Sequence, residues 1–141
     1  MAGIIIVGVD GNTTSLKAAH TAADLAKALG ATLSVITAYD QDRTEKVVIG
    51  NDEWFLNTAD EAARVAERVA VELGNSGVAT TYSSVLGKPA EALMAEAERV
   101  GATMIVVGNV RMQGIGRVLG SVANTVAHNA PCDVHIVKTT D

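Results

Sequence analysis

Ile4-Ile5-Ile6-Val7-Gly8-Val9, followed at once by Asp10-Gly11-Asn12-Thr13-Thr14-Ser15, is the stretch that decides the fold. A continuous β-branched run has no polar face, so it suits a strand covered on both sides, and such strands belong to parallel sheets. The polar residues after it supply a turn and several candidate N-caps. From Thr14 to Leu29 the apolar period becomes helical, with Leu16, Ala19, Ala23, Ala26 and Leu29 on one stripe. Gly30 then stops the helix as a left-handed C′ residue.

The alternation continues along the chain. Ala31 to Tyr39 reads as a second strand, whereas residues 40 to 53 show no clear period and read as a loop. A long helix is signalled from Trp54 to Leu73 by Phe55, Ala59, Ala62, Ala66, Val69 and Leu73 at spacings of three and four, and Gly74-Asn75-Ser76-Gly77 ends it. Val78 to Leu86 is a third strand, and Gly87-Lys88-Pro89 is a turn that places proline at the start of a helix over Ala90 to Val100. Met104 to Val107 is the fourth strand, Val118 to His128 the fourth helix, and Val134 to Lys138 the fifth strand beyond Pro131. Strict alternation of this kind predicts one α/β domain, a doubly wound parallel sheet with helices on both faces and right-handed crossovers. Ligands of such folds sit beyond the carboxyl ends of the strands, which pairs the loop after the first strand with the loop after the fourth.

Bulk properties narrow the function. A chain of 141 residues is one ordinary domain and buries about 70% of its unfolded surface without a covalent staple. Cys132 is the only cysteine, so no intrachain disulfide forms, and with no apolar signal segment at Met1 the expected location is the cytoplasm. The apolar runs are strand-length, against the roughly 20 residues needed to cross a bilayer. A net charge of −5 argues against nucleic acid and anionic membranes as partners, and 3% aromatic residues leave little for base stacking. Between Glu98 and Asp133 no acidic residue occurs, while Arg99, Arg111, Arg117 and His128 do, which makes local room for a negative ligand.

That region holds the chief functional signal. From Gly108 to Gly120 there are four glycines in thirteen residues, in a strand-to-loop-to-helix context with Ser121 at the helix start. Glycines let backbone amides approach a ligand, and a helix N-terminus favours an anion. The residues fit a phosphate cradle, and they also fit a plain strand-to-helix connector.

Val7-Gly8-Val9-Asp10-Gly11, Val106-Val107-Gly108-Asn109-Val110 and Leu119-Gly120-Ser121-Val122-Ala123-Asn124 together resemble the universal stress protein family. The resemblance covers nearly the whole chain, including the closing Cys132-Asp133-Val134-His135-Ile136-Val137 strand. It implies a five-stranded parallel sheet in the order 3-2-1-4-5, a homodimer, a regulatory role in the stress response and, in some members, binding of ATP, AMP or cyclic AMP. Nucleotide-binding members carry glycine, two residues, glycine, nine residues, glycine and then serine or threonine. Gly108 fits the first position and Gly120 with Ser121 the last, but Arg111 replaces the second glycine and only eight residues separate it from Gly120. Arg111 would either block the phosphate or add donors to it.

By the same resemblance, Asp10 would face the ribose or a magnesium ion held indirectly. Ala38 would offer backbone groups to adenine. Val107, Gly108 and Asn109 would lie along the nucleotide, with Gly120, Ser121 and Val122 around the phosphates. From the residues alone Asp10 is a turn or capping residue. Relatives with Val-Gly-Asn-Val-Gly at this loop resemble cyclic AMP binders, and the chain shares Val107-Gly108-Asn109-Val110 before departing at Arg111. A cyclic monophosphate carries one negative charge and needs a smaller cradle, which suits the shortened loop better than a triphosphate does.

No Gly-x-Ser-x-Gly elbow or Gly-Lys-Ser loop occurs, and His20, His128 and His135 have no spacing that suggests a shared metal. Three functions therefore stand: a nucleotide-binding regulatory module, a dimeric interaction protein with a degenerate site, and at most a slow ATP hydrolase. Homodimerisation is expected through Val134 to Lys138, an edge strand that needs cover.

Overall fold

The first strand, β1 (Ile4–Gly8), lies in the middle of the sheet with parallel neighbours on both sides. The computed structural model describes residues 3–39, 44–109 and 120–139. After β1 come α1 (Thr13–Leu29) and β2 (Thr32–Tyr39), then β3 (Thr44–Ile49), β4 (Asp52–Asn57) and α2 (Thr58–Glu72). A short 3₁₀ turn leads to β5 (Thr80–Leu86), α3 (Pro89–Val100), β6 (Met104–Asn109), α4 (Ser121–Asn129) and β7 (Asp133–Lys138). The main sheet runs β5-β2-β1-β6-β7 with every pairing parallel, which is the expected order 3-2-1-4-5 once the β3–β4 pair is set aside.

Period-two alternation explains why β1 reads as continuously apolar. Ile5 and Val7 join Leu33, Val35 and Val106 under α1 and α2, whereas Ile6 joins Ile36, Ile105 and Val107 under α3 and α4. Both faces are dry over Ile5, Ile6 and Val7, so these three positions do not tolerate a polar side chain. Helix α1 buries Ala18, Ala19, Ala22, Ala23 and Ala26, and this run of small side chains brings its axis close to the strands. Of the expected stripe, Ala19, Ala23 and Ala26 are buried and Leu16 packs against the same core, whereas Leu29, placed inward by its spacing, is 59% exposed at the helix end.

Residues 40 to 53 are not simply a loop. Thr44–Ile49 pairs antiparallel with Asp52–Asn57 in a separate two-stranded sheet, and α2 starts at Thr58 rather than Trp54. Ile49 pairs with Asp52, so Gly50-Asn51 is a two-residue turn, and Gly50 has φ +62° while no non-glycine residue among those described has positive φ. Positive φ at the first central position is the type II′ requirement, which glycine meets without strain. Trp54 and Phe55, assigned to a helix by their spacing, belong to β4. No helix among the described residues is long and apolar enough to cross a membrane.

Candidate functional site

Beyond the carboxyl ends of β1, β2 and β6 the structure opens a crevice of about 610 Å³. It lies where the chain's connections diverge, β1 going to β2 on one side while β6 stands on the other. That is the switch point at which doubly wound sheets bind ligands. The N-terminal turns of three helices face it: Asn12, Thr14 and Ser15 of α1, Pro89 of α3, and Ser121, Val122 and Ala123 of α4. First-turn amides have no acceptor one turn back and carry the positive end of the helix dipole, so the three termini favour negative charge.

The β1 wall is built by local hydrogen bonds. Both Asp10 carboxylate oxygens accept from Asn12, Oδ1 from its backbone N–H at 2.9 Å and Oδ2 from its side-chain amide at 3.1 Å. The Asp10 N–H donates to Ser15 Oγ at 3.2 Å, and that hydroxyl donates to the Asn12 carbonyl at 3.0 Å. Asp10 thus shapes an Asx turn while remaining exposed at the crevice, as its turn-residue reading requires.

The β6 wall is held differently. Asn109 is 3% exposed, and its Oδ1 accepts from the Gly120 N–H at 2.7 Å, joining the strand end to the start of α4. Since this bond consumes the Gly120 amide, the groups left to meet a ligand are the next three amides and the Ser121 hydroxyl. A Cβ on Gly120 would come within 3.0 Å of Asn109 Oδ1. Gly108 is glycine because its α1-facing side is filled: a Cβ there would sit 2.7 Å from Thr139 Cγ2 and 3.5 Å from Ala18 Cβ.

The structure brings Asp10, Ala38, Val107, Gly108, Asn109, Gly120, Ser121 and Val122 to this one crevice, and Arg111 lies outside the described residues. Arg117 lies outside them as well. Of the cations expected to attract an anion, Arg99 pairs with the buried Glu96 on α3 and does not line the crevice, and neither does His128. Glu96 holds the Arg99 guanidinium above its ordinary pKa by hydrogen bond and charge. Among the described lining residues, Asp10 is the one with a formal charge, so an anion here would be met by neutral donors.

Sequence reasoning passed over Asn12, Thr14, Ser15, Pro89, Leu93 and Thr139 as lining residues. Pro89 had a signal, since it follows the carboxyl end of β5 at a helix start. Thr139 had none, because only the pairing of β7 with β6 carries it to the crevice. Elsewhere, burial and then the Asp133 charge push the Cys132 thiol up from its ordinary pKa, which keeps it protonated and poorly nucleophilic at neutral pH. Among the described residues no three of His, Cys, Asp and Glu gather as a metal site.

Known proteins share both the sequence pattern and the fold. The sequence pattern of the universal stress protein family matches residues 1–138. A universal stress protein of Mycobacterium tuberculosis is 30% identical over 141 residues, with 96% of each chain covered. Another from Methanocaldococcus jannaschii is 32% identical over 142 residues, covering 95% of this chain and 81% of the relative. A crystal structure of a universal stress protein in complex with cAMP superposes with a TM-score of 0.75 at 31% identity, covering 98% of both chains. With sequence and fold in agreement along nearly its whole length, the chain belongs to the universal stress protein family.

Proposed function

We propose that the crevice binds an adenine nucleotide at the ends of β1, β2 and β6, and that among ATP, AMP and cyclic AMP it takes cyclic AMP. The observation that carries this reading is the composition of the described lining: three helix N-termini and several hydroxyls, one carboxylate and no cation. Neutral donors of this kind suit a single negative charge, whereas a triphosphate calls for cationic side chains or a metal ion beside it. The 31%-identical relative with cAMP bound supports the same ligand. Ala38 would meet the adenine edge and Asp10 the ribose, while Ser121 and Val122 present first-turn amides to the phosphate. Bound ATP would bring magnesium on its phosphates, with Asp10 reaching the ion through water; one carboxylate suits that role and not a resident metal.

The protein would act as a ligand-dependent regulator in the stress response, as a homodimer. β7 ends the sheet order, with half-buried Val134 and Ile136, and a second copy would cover that edge. Calorimetric titration with ATP, AMP and cyclic AMP, with and without Mg²⁺, tests the ligand. Heat with cyclic AMP that disappears in Gly120→Val supports the site. No heat with any of the three would overturn it in favour of a dimeric interaction protein with a degenerate crevice. Light scattering after size exclusion checks the dimer, and a monomer mass would refute it.

A further inference from the structure

Among the described residues that line the crevice, one has a buried side-chain hydroxyl for which the protein supplies no partner. Thr139 is 2% exposed, and its Oγ1 is buried without a hydrogen-bond partner. Burying an unpaired hydroxyl carries an uncompensated desolvation penalty, so a valine of the same shape would be the more stable choice for folding alone. The other described orphan of this kind, Thr37, does not line the crevice.

The surroundings of Thr139 are arranged around it. Gly108 gives up its side chain to the Thr139 methyl, whose Cγ2 lies 2.7 Å from where a Cβ would stand, and Ala18 closes the same corner at 3.5 Å from that point. On α1, Thr14 is one turn before Ala18 and therefore above it on the same helix face, and Thr14 also lines the crevice. The corner between β6, the end of β7 and the first turn of α1 thus offers hydroxyl donors beside a helix N-terminus. No described cation lines it.

We propose that Thr139 is a ligand-contacting residue whose hydroxyl, covered in the unliganded protein, turns into the crevice to donate to a phosphoryl oxygen of the bound nucleotide. The inference rests on the nucleotide reading of the crevice. The ligand then supplies the acceptor that the fold withholds. A donor directed at a phosphoryl oxygen forms a charge-assisted hydrogen bond, which is stronger than a neutral one. Affinity would therefore fall appreciably when the hydroxyl alone is removed.

Thr139→Val keeps the shape and deletes the donor, while Thr139→Ser keeps the donor and deletes the methyl. Calorimetry with cyclic AMP should show affinity about tenfold weaker for Thr139→Val and within about threefold of wild type for Thr139→Ser. The unliganded Thr139→Val protein should melt no lower than wild type, since it loses an unpaired buried hydroxyl. With protein in excess, the ³¹P resonance of bound cyclic AMP should move between wild type and Thr139→Val while the adenine proton resonances stay in place. Unchanged affinity in Thr139→Val, or an unmoved ³¹P resonance, overturns the role of Thr139 and leaves the nucleotide site standing. A wild-type protein that binds none of the three nucleotides overturns both.

Discussion

The two walls of the crevice are connections of the same kind, strand end to helix start, held in opposite ways. Between β1 and α1, Asp10, Asn12 and Ser15 share four hydrogen bonds within six residues, all near the surface. Between β6 and α4, the buried Asn109 accepts from the Gly120 N–H across eleven positions. Local, redundant bonding distributes the load, since each member is backed by another and water can replace any of them. A buried bond between residues eleven positions apart concentrates it, because its loss strands a donor where water does not reach. The contrast predicts that the β6 wall is the fragile one.

Asn109→Ala should be the most damaging change, lowering stability by about 2–4 kcal/mol through the vacated buried site and the stranded Gly120 amide. Urea denaturation measures the stability, and calorimetry should show cyclic AMP binding reduced more than tenfold. A loss no greater than that of the β1-wall variants would erase the contrast. Gly108→Ala comes next, at about 1–3 kcal/mol, because its Cβ would overlap the Thr139 methyl. Combining it with Thr139→Ser, which removes that methyl, should recover most of the loss, and a merely additive double variant would refute the contact.

On the other wall, Asp10→Ala should cost less than about 1 kcal/mol of stability, since its turn bonds are exposed, while the proposed site, in which its carboxylate would meet the ribose, predicts cyclic AMP bound several-fold more weakly. Ser15→Ala should have the smallest effect, below about 1 kcal/mol with little change in affinity. If thermal melts show Ser15→Ala unfolding the protein as readily as Asn109→Ala, the redundancy of the β1 wall is wrong.

What could be read from the sequence followed from local chemistry. Ile4 to Val9, Met104 to Val107 and the helix-ending Gly30 and Gly101 declare their elements through β-branched runs and left-handed caps, so order and sheet type were legible. Gly50-Asn51 between Val47-Val48-Ile49 and Trp54-Phe55 is also a local signal, a type II′ hairpin, but the helical spacing of Phe55, Ala59 and Ala62 masked it. Period alone cannot arbitrate where a short strand runs directly into a helix. At the site, Gly108, Asn109 and Gly120 stand out as a cluster in the chain, and Asp10 by its place after the first strand. Thr139 is different in kind: nothing near it in the chain marks it, and its unpaired hydroxyl exists only once β7 has docked on β6.

The central position of β1 also sets an order of events in folding. β1 can pair with β2 as soon as α1 has formed, but its other edge waits for β6, with Ile5 meeting Met104. Such sequence-distant pairing is slow to close, so the β1–β6 seam is expected to be a late joint. The crevice straddles that seam, and a ligand seated in it would clasp the joint last made. Its kinetic mark would be a slower unfolding rate with refolding left nearly unchanged, as expected for contacts absent from the transition state.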